Sequence, residues 1–322
     1  MVESRHRAAV AVVDAAGRVV HARGDVERPI YGRSALKPLQ ALPVIETGAA
    51  ERYGLGQADI ALATASHSGE SRHVELARAM LARIGCTESD LECGPQWPTH
   101  EPSSVALARS GAGPDAIHNN CSGKHAGMLA TARHLTEPTS GYIKFEHPVQ
   151  QRVLAVLQAM TGLDLRAAPR GIDGCGIPVI GMPLRALALA MARLADPAAL
   201  TPERAAAARR IVAAMMAEPF LVAGTAEFNS LFMQALGGTA AIKGGAEGVY
   251  TAALPRMGLG IALKIDDGAG RAASVALARV LHRLDAVSPT QAQSLGDLFA
   301  TPVLNRAGLE VGRVRPAADC PF

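Results

Sequence analysis

Hydrophobic positions along the chain change their period twice. Residues 8–13 form an apolar run that stops at Asp14, and Gly17 follows shortly after, so 8–23 is expected to be a strand hairpin. From Ser34 the period becomes helical, with Leu36, Leu39 and Leu42 on one stripe. Ser34 is suited to cap that helix, Pro38 falls in its first turn, and Thr47-Gly48 ends it. Asp59 then caps an apolar segment reaching Ala65, and a helix over 71–84 carries Val74, Ala77, Leu81 and Ile84 on one face. Residues 86–104 lack a period and are expected to be loop. Further helices are expected from the 118–127 stretch through Leu135, from Pro148 through Met160, and near 181–195, 202–217 and 224–236, with an irregular 170–178 segment among them. From Thr239 the period shortens: 240–243, 248–254 and 258–265 predict consecutive strands. A helix over 270–286, a short helix after Ser288-Pro289 and a strand at 309–314 close the chain.

Strands at both ends around a helical middle predict an α+β fold: one antiparallel sheet assembled from the two termini, with an all-helical lobe inserted. The expected division is a single unit with one lobe of residues 1–33 plus 237–322 and another of 34–236. Ser34 then falls at the junction, where clefts tend to lie.

Composition narrows the function. With 322 residues, 49% hydrophobic and 19% charged, the chain can bury a large core. A net charge of +3 with scattered carriers and 3% aromatics argue against nucleic acid as a partner. The N-terminal apolar run is too short for a signal peptide or a membrane span, so no membrane partner is expected. The cysteines are Cys86, Cys93, Cys121, Cys175 and Cys320, an odd count without CxxC pairs, which fits a reducing, cytoplasmic location. Of 32 basic residues only five are lysines: Lys37, Lys124, Lys144, Lys243 and Lys264. Only lysine among the cationic side chains can be neutralised by its surroundings to act as a base, since arginine keeps its charge.

Four groups of residues bear chemistry. Ser34-x-x-Lys37 sets a hydroxyl and an amine one helical turn apart, within reach of one another. Burial and the positive helix end would lower the lysine pKa. Ser66 lies in Ala65-Ser-His-Ser-Gly-Glu70, a polar break that would also serve as an ordinary helix cap. Lys243-Gly-Gly ends a predicted strand, either leaving room for a ligand or simply guarding a sheet edge. Ser-x-x-Lys, a later serine and Lys-x-Gly follow the order used by serine β-lactamases and penicillin-binding proteins. Ser-His-Ser in place of Ser-Asp-Asn, and Lys-Gly-Gly in place of Lys-Thr-Gly, argue against β-lactam chemistry while leaving acyl transfer standing. The fourth group is Cys121-Ser-Gly-Lys-His125 with Asp173-Gly-Cys-Gly176. It is no phosphate loop, because His118 occupies the first glycine position and His125 the final Ser/Thr position. Its cysteines suit either a soft-ligand metal site or plain packing.

Together Tyr31-Gly-Arg-Ser-Ala-Leu-Lys-Pro38, Ser66-His-Ser-Gly-Glu70, His118-Asn-Asn-Cys-Ser-Gly-Lys-His-Ala-Gly-Met128, Asp173-Gly-Cys-Gly-Ile-Pro178 and Lys243-Gly-Gly-Ala-Glu-Gly-Val249 resemble the rhizobial-type (class 3) L-asparaginases over about residues 8–285. The resemblance implies a serine β-lactamase/glutaminase-like fold and hydrolysis of L-asparagine to aspartate and ammonia. It implies Ser34–Lys37 and Ser66–Lys243 as catalytic tandems, with Ser34 as nucleophile and Ser66 assisting, the reverse remaining open. Lys264 competes with Lys243 for the second lysine. It further implies zinc held by Cys121, Lys124 and Cys175, with Arg33, His125 and Asp173 on the substrate side. L-asparagine is the expected small-molecule partner and a homodimer the expected assembly. The alternatives are a glutaminase or β-lactamase-like serine hydrolase, or a metal-dependent ligand sensor without turnover.

Overall fold

A computed structural model describes residues 1–318, so Cys320 lies outside the described residues. Five strands form the main antiparallel sheet: β1 (Ala8–Asp14), β2 (Val19–Arg23), and, after two short elements β3 (Pro29–Tyr31) and β4 (Arg170–Ile172) and a longer β5 (Pro178–Pro183), the strands β6 (Ala241–Gly245), β7 (Val249–Leu254) and β8 (Leu259–Ile265). The spatial order is β2-β1-β8-β7-β6. The N-terminal strand therefore pairs with the C-terminal hairpin, Ala8 opposite Ile265 and Asp14 opposite Leu259. β3, β5 and β4 make a separate three-stranded sheet, and β9 (Thr301–Leu304) pairs with β10 (Glu310–Val314).

The apolar runs explain why β1 and β8 are central. Successive side chains of a strand point to opposite faces. Residues Ala9–Val13 and Leu259–Leu263 are buried at every position, so both faces are covered. Helices Leu184–Ala195 and Gly270–Arg283 both pack on this sheet. The first lies very close: a Cβ on Gly260 would come within 2.1 Å of the Ala192 nitrogen, so only glycine lets that alanine-rich helix settle on β8. Residues 34–236 thus supply the sheet layer with one of its covering helices as well as forming the helical region.

Several expected elements differ in detail. The single helix expected from Ser34 is three pieces: a 3₁₀ turn Arg33–Leu36, then Lys37–Gln40 and Leu42–Glu46. Pro38 and Pro43 each open a new piece, because a proline has no N–H to continue the preceding ladder. Ser34 lies inside the 3₁₀ turn and caps nothing. The expected loop at 86–104 gives way to a helix at Glu101–Arg109, which buries none of its residues and so lacks an apolar stripe to signal it. Segment 170–183 contains β4 and β5, and the helix expected from 181 begins at Leu184. The 224–236 helix is Phe228–Leu236, preceded by a short Pro219–Val222 helix and a break with positive φ at Gly224 and Ala226. Among the described residues no helix is long and apolar enough to cross a membrane.

Candidate active site

The site is built where the edge strand β6 meets the 33–36 turn and the 64–70 segment. The sheet order leaves β6 as an edge, and its two glycines explain how the turn approaches. A Cβ at Gly245 would lie 2.9 Å from both the Ala35 nitrogen and the Gly32 oxygen, and 3.2 Å from the Ser34 nitrogen. A Cβ at Gly244 would meet the Tyr250 ring at 2.9 Å. Thr251 on β7 secures the junction by donating its hydroxyl to the Ala35 carbonyl at 3.2 Å. Arg33, the residue before Ser34, has φ +50°, a left-handed conformation that is costly for a side chain this long.

Ser66 follows the Gln57–Ala63 helix, with its N–H donated to the Val222 carbonyl at 3.0 Å. Its hydroxyl is the meeting point of two lysines. Lys37 Nζ and Lys243 Nζ each lie 2.9 Å from Ser66 Oγ. Lys37 also donates to the Ala65 carbonyl at 2.5 Å, and Lys243 to the Gly244 carbonyl at 2.7 Å. Both lysines are 0% exposed. Burial pushes both amines below the usual lysine range, and Lys243 is driven further down by the Lys37 charge beside it. The thiolate character of Cys121 partly restores Lys37. An arrangement of two amines on one hydroxyl is satisfied when one amine is protonated and donates while the other is neutral and accepts the Ser66 proton.

Among the described residues no hydrogen bond joins Ser34 Oγ to Lys37; the lysine reaches Ser66 instead. The structure therefore brings Lys37, Ser66 and Lys243 together and keeps Ser34 on the facing turn. Lys264 bonds the carbonyl of its neighbour Ile265 and takes no part in this cluster.

Arg33 Nε donates to Asp173 Oδ1 at 2.8 Å, with Asp173 on the loop between β4 and β5. Burial works to raise the Asp173 pKa, but Lys124 and Arg33 outweigh it and hold the carboxyl below the usual range. The same loop carries Cys175, whose sulfur accepts from Lys124 Nζ at 2.9 Å and lies 3.7 Å from Asp173 Oδ2. Lys124 belongs to the Ser122–His134 helix, which can bury its first turn because Gly123 fits against Leu62, where a Cβ would come within 2.5 Å of the Leu62 oxygen. Cys121, just before that helix, shares a hydrogen bond with Cys175; that bond, helped by Lys124 and Lys37 and opposed by burial, draws the Cys121 thiol well below its usual pKa, while Cys175 is raised. Burial opposes the charge on Lys124, yet the two cysteine sulfurs and Asp173 raise its pKa above normal.

Among the described residues no three His, Cys, Asp or Glu side chains converge as a metal site. The Cys121–Lys124–Cys175 set remains: two soft sulfurs and one amine fit the donor preferences of zinc, provided Lys124 gives up its proton. Without a metal its ammonium supplies the positive charge between the sulfurs.

Among the described residues no hydrogen bond or ion pair joins His125 to Asp173 or Arg33. The His125 Nδ1 lies 2.7 Å from the Tyr142 hydroxyl, and the ring is fully buried. Burial, then the charges of Lys124 and Lys37, keep His125 neutral, and burial likewise keeps the Tyr142 phenol protonated.

Sequence reasoning missed two supports of the site. Glu70 accepts from Ser68 Oγ at 2.7 Å and from the Thr225 N–H and hydroxyl, each at 2.8 Å, fastening the 223–227 break against the 66–70 segment. Asn119 donates to the Cys93 and Gly94 carbonyls at 2.9 and 3.0 Å and accepts from the Cys121 N–H at 2.9 Å, fixing where Cys121 points. The paired asparagines before Cys121 were the available signal.

Two crystal structures of a protein named Mglu are similar to this chain. One, of its native form, is 16% identical with a TM-score of 0.48, covering 87% of this chain and 64% of that one. The other is 17% identical with a TM-score of 0.41, covering 87% and 67%. This chain thus spans a little under two thirds of the first structure's length, and neither likeness is close enough to bear on chemistry. No curated protein sequence matches it. Residues 1–316 match the L-asparaginase II family from end to end of the site just described, and the chain belongs to that family of enzymes.

Proposed function

We propose that the protein hydrolyses L-asparagine to L-aspartate and ammonia through an acyl-serine intermediate. The observation that carries this reading is Ser66 Oγ held 2.9 Å from two fully buried lysine amines. Neutral Lys243 takes the Ser66 proton as the oxygen attacks the side-chain amide carbon. The same proton passes to the amide nitrogen, the C–N bond breaks and ammonia leaves. Lys243 then takes a proton from water, which cleaves the β-aspartyl ester and restores the serine hydroxyl. Lys37, protonated, orients the oxygen and supports charge developing beside it. Arg33 has donors left after pairing with Asp173 and suits the substrate α-carboxylate, while Asp173 suits its α-ammonium.

A second serine assignment draws support from Arg33. Its strained φ directly before Ser34 is a device found where a nucleophile is presented. In that version Ser66 relays activation and Ser34 carries the acyl group. Zinc on Cys121, Lys124 and Cys175 would supply a Lewis acid next to Asp173. The five-stranded antiparallel sheet of both termini, with the Ser/Lys centre at its β6 edge, supports a serine β-lactamase-like ancestry for the fold.

Ammonia release from L-asparagine and L-glutamine, with covalent acylation by a penicillin followed by mass analysis, separates the readings. Turnover of asparagine above the others supports the proposal. Turnover of glutamine or acylation by penicillin replaces it with the related hydrolases, and ligand binding without any turnover replaces it with a sensor. Rapid quenching and peptide mass analysis then locate the acyl group on Ser66 or Ser34.

A further inference from the structure

Ser66 and Lys243 are 177 residues apart in sequence, so their 2.9 Å contact depends on what holds the 66–70 segment against strand β6. Residues 222–233 bridge the two. At one end the Val222 carbonyl accepts the Ser66 N–H at 3.0 Å. At the other, Met233 Sδ accepts the N–H of Ile242, the residue before Lys243, at 3.3 Å, and the Phe228 ring meets Tyr250 of β7 edge-on at 5.4 Å. Between these ends the chain bends through two positive φ angles, +134° at Gly224 and +58° at Ala226. A left-handed alanine is costly and persists only where its surroundings over-determine it. Burial does little of this, because Thr225, Ala226 and Glu227 are all exposed. One carboxylate does more. Glu70 Oε1 accepts from the Thr225 N–H and from Ser68 Oγ, and Glu70 Oε2 accepts from the Thr225 hydroxyl. Gly224 lies so close to this clasp that a Cβ there would come within 2.0 Å of Ser68 Oγ and 2.8 Å of Glu70 Oε1. Its N–H is taken by Ser230 Oγ at 3.2 Å, which donates in turn to the Pro219 carbonyl at 2.9 Å.

We propose that Glu70 is a positioning residue for the Ser66–Lys243 pair: its clasp on Ser68 and Thr225 holds the 222–227 bend that joins the serine's segment to the lysine's strand. Among the described residues no hydrogen bond or ion pair joins Glu70 to Ser66 or to a lysine, so it acts through the bend. Proton transfer between Ser66 and Lys243 needs hydrogen-bond distance, and a misplacement of about 1 Å costs on the order of 10²-fold in rate. The clasp works by geometry rather than charge. A glutamine could keep all three contacts, its oxygen accepting the two donors on Oε1 and its nitrogen donating to the Thr225 hydroxyl oxygen. Arg33 and Asp173 sit on the 33–36 turn and the β4–β5 loop, outside this bridge, so loosening it should spare substrate binding. The role is the same for either serine, since Ser66 is the nucleophile in one assignment and the relay in the other. Its link to catalysis rests on the acyl-serine reading; the geometry of the clasp does not.

Steady-state ammonia release and urea unfolding of Glu70 and Thr225 variants test this. Glu70→Ala is expected to lower kcat for L-asparagine at least about thirtyfold, with KM within about threefold of wild type. Glu70→Gln is expected to recover kcat to within about fivefold of wild type. A glutamine variant as impaired as the alanine one overturns the clasp in favour of the charge. Thr225 is exposed, so its variants test the clasp without threatening the fold. Thr225→Val, which loses the hydroxyl, is expected to lower kcat about tenfold, and Thr225→Ser to stay within about twofold of wild type. Equal kcat in those two variants, a loss that falls on KM instead, or a loss that merely follows the unfolded fraction overturns the proposal. A fluorophosphonate, which phosphonylates an activated serine with loss of fluoride, needs no amide substrate; its labelling rate, located on Ser66 or Ser34 by peptide mass analysis, is expected to fall in the same order. Wild type that releases no ammonia, with labelling slowed in that order, overturns the amidohydrolase reading and leaves the positioning role standing. Ammonia release by wild type with equal labelling rates in every variant overturns the positioning role alone.

Discussion

Replacing Lys243 by methionine should make the protein inactive and more stable. Lys243 is 0% exposed, and burial together with the Lys37 charge forces its amine well below the ordinary 10.5. In the unfolded chain that amine is protonated at pH 7. Keeping it neutral in the fold therefore costs about 1.4 kcal/mol for each pH unit below 10.5, or roughly 5 kcal/mol at pH 7 if it is fully deprotonated. Its hydrogen bonds to Ser66 and the Gly244 carbonyl offset about 1 kcal/mol each, and methionine leaves that carbonyl without the amine. Methionine matches the length of the stem and carries no proton to lose, so the net gain at pH 7 should be about 1–3 kcal/mol. The pH dependence is more diagnostic than the gain. Because the folded pKa lies below the unfolded one, the unfolded state binds more protons between the two, and wild-type stability must rise with pH across that window. The advantage of Lys243→Met should therefore shrink by about 1.4 kcal/mol per pH unit above 7, vanish within about two units, and give way to a more stable wild type by about pH 10.5, where the lysine hydrogen bonds remain without the cost of neutralisation. Urea unfolding at pH 7, 8, 9 and 10, with m-values compared between the proteins, measures it. A variant less stable than wild type at pH 7, or a difference that stays constant with pH, would refute the picture of a neutral buried amine.

Other expectations follow from the same geometry. Gly245→Ala puts a methyl 2.9 Å from the Ala35 nitrogen and the Gly32 oxygen, so the 33–36 turn must move; kcat/KM should fall at least tenfold at a stability cost of about 1–3 kcal/mol, read by ammonia release and thermal unfolding. Asp173→Asn removes the charge that pairs with Arg33 and that the proposed reading sets against the substrate ammonium, so on that reading KM for L-asparagine should rise about tenfold or more with a smaller change in kcat. The Glu227 carboxylate raises the Lys243 pKa, so Glu227→Gln should shift the acid limb of the kcat/KM profile to lower pH, by less than about one unit and less still in 1 M salt. A shift the other way would show that another group titrates in that limb. Zinc added to metal-free protein at pH 7 should bind with proton release from Lys124 and the Cys175 thiol, detected in weakly buffered solution and by elemental analysis, and Cys175→Ser should abolish both.

The sheet was legible because its strands are short apolar runs with turn residues between them. Residues 8–23 and 240–265 needed only local rules, and the antiparallel closure of the termini followed from there being strands at each end. The 33–47 region was misread because Pro38 and Pro43 are tolerated at the start of a helix as easily as they break one, and local sequence does not say which. Lys37 illustrates a different limit. Its spacing from Ser34 is three residues, and one-turn arithmetic pairs them; its amine is instead held by Ala65 and Ser66, 28 and 29 residues away. Such a contact depends on how helices pack, which no window of sequence contains. Lys243-Gly-Gly carried more information than its motif suggested, since each glycine is required by a different neighbour, Tyr250 and the 32–35 turn. Tyr142 and Glu92 had no motif at all: their contacts beneath His125 become visible only in the fold.

The buried charges explain why these residues divide their work as they do. Three lysines, two cysteines and an aspartate share one interior region, where an isolated charge is costly and each group's state is set by its nearest neighbours. Lys124 touches Cys175 and feels Cys121 and Asp173, so it remains an ammonium. Lys37 is intermediate: burial lowers it most, Lys124 lowers it further, and the Cys121 sulfur partly restores it. Lys243 lies beyond it, on β6, with Lys37 as its strongest charged neighbour, and is pressed furthest toward neutrality. The result is a gradient across the site, from a sulfur-paired cation to a free amine, with the Ser66 hydroxyl at the end where a proton can be accepted. Cys121 therefore influences the lysine pair even when no metal is bound, because removing its charge would let Lys37 fall toward neutrality too. The cluster of Lys37, Lys243 and Ser66 and the cluster of Cys121, Lys124 and Cys175 are in this chain one electrostatic unit.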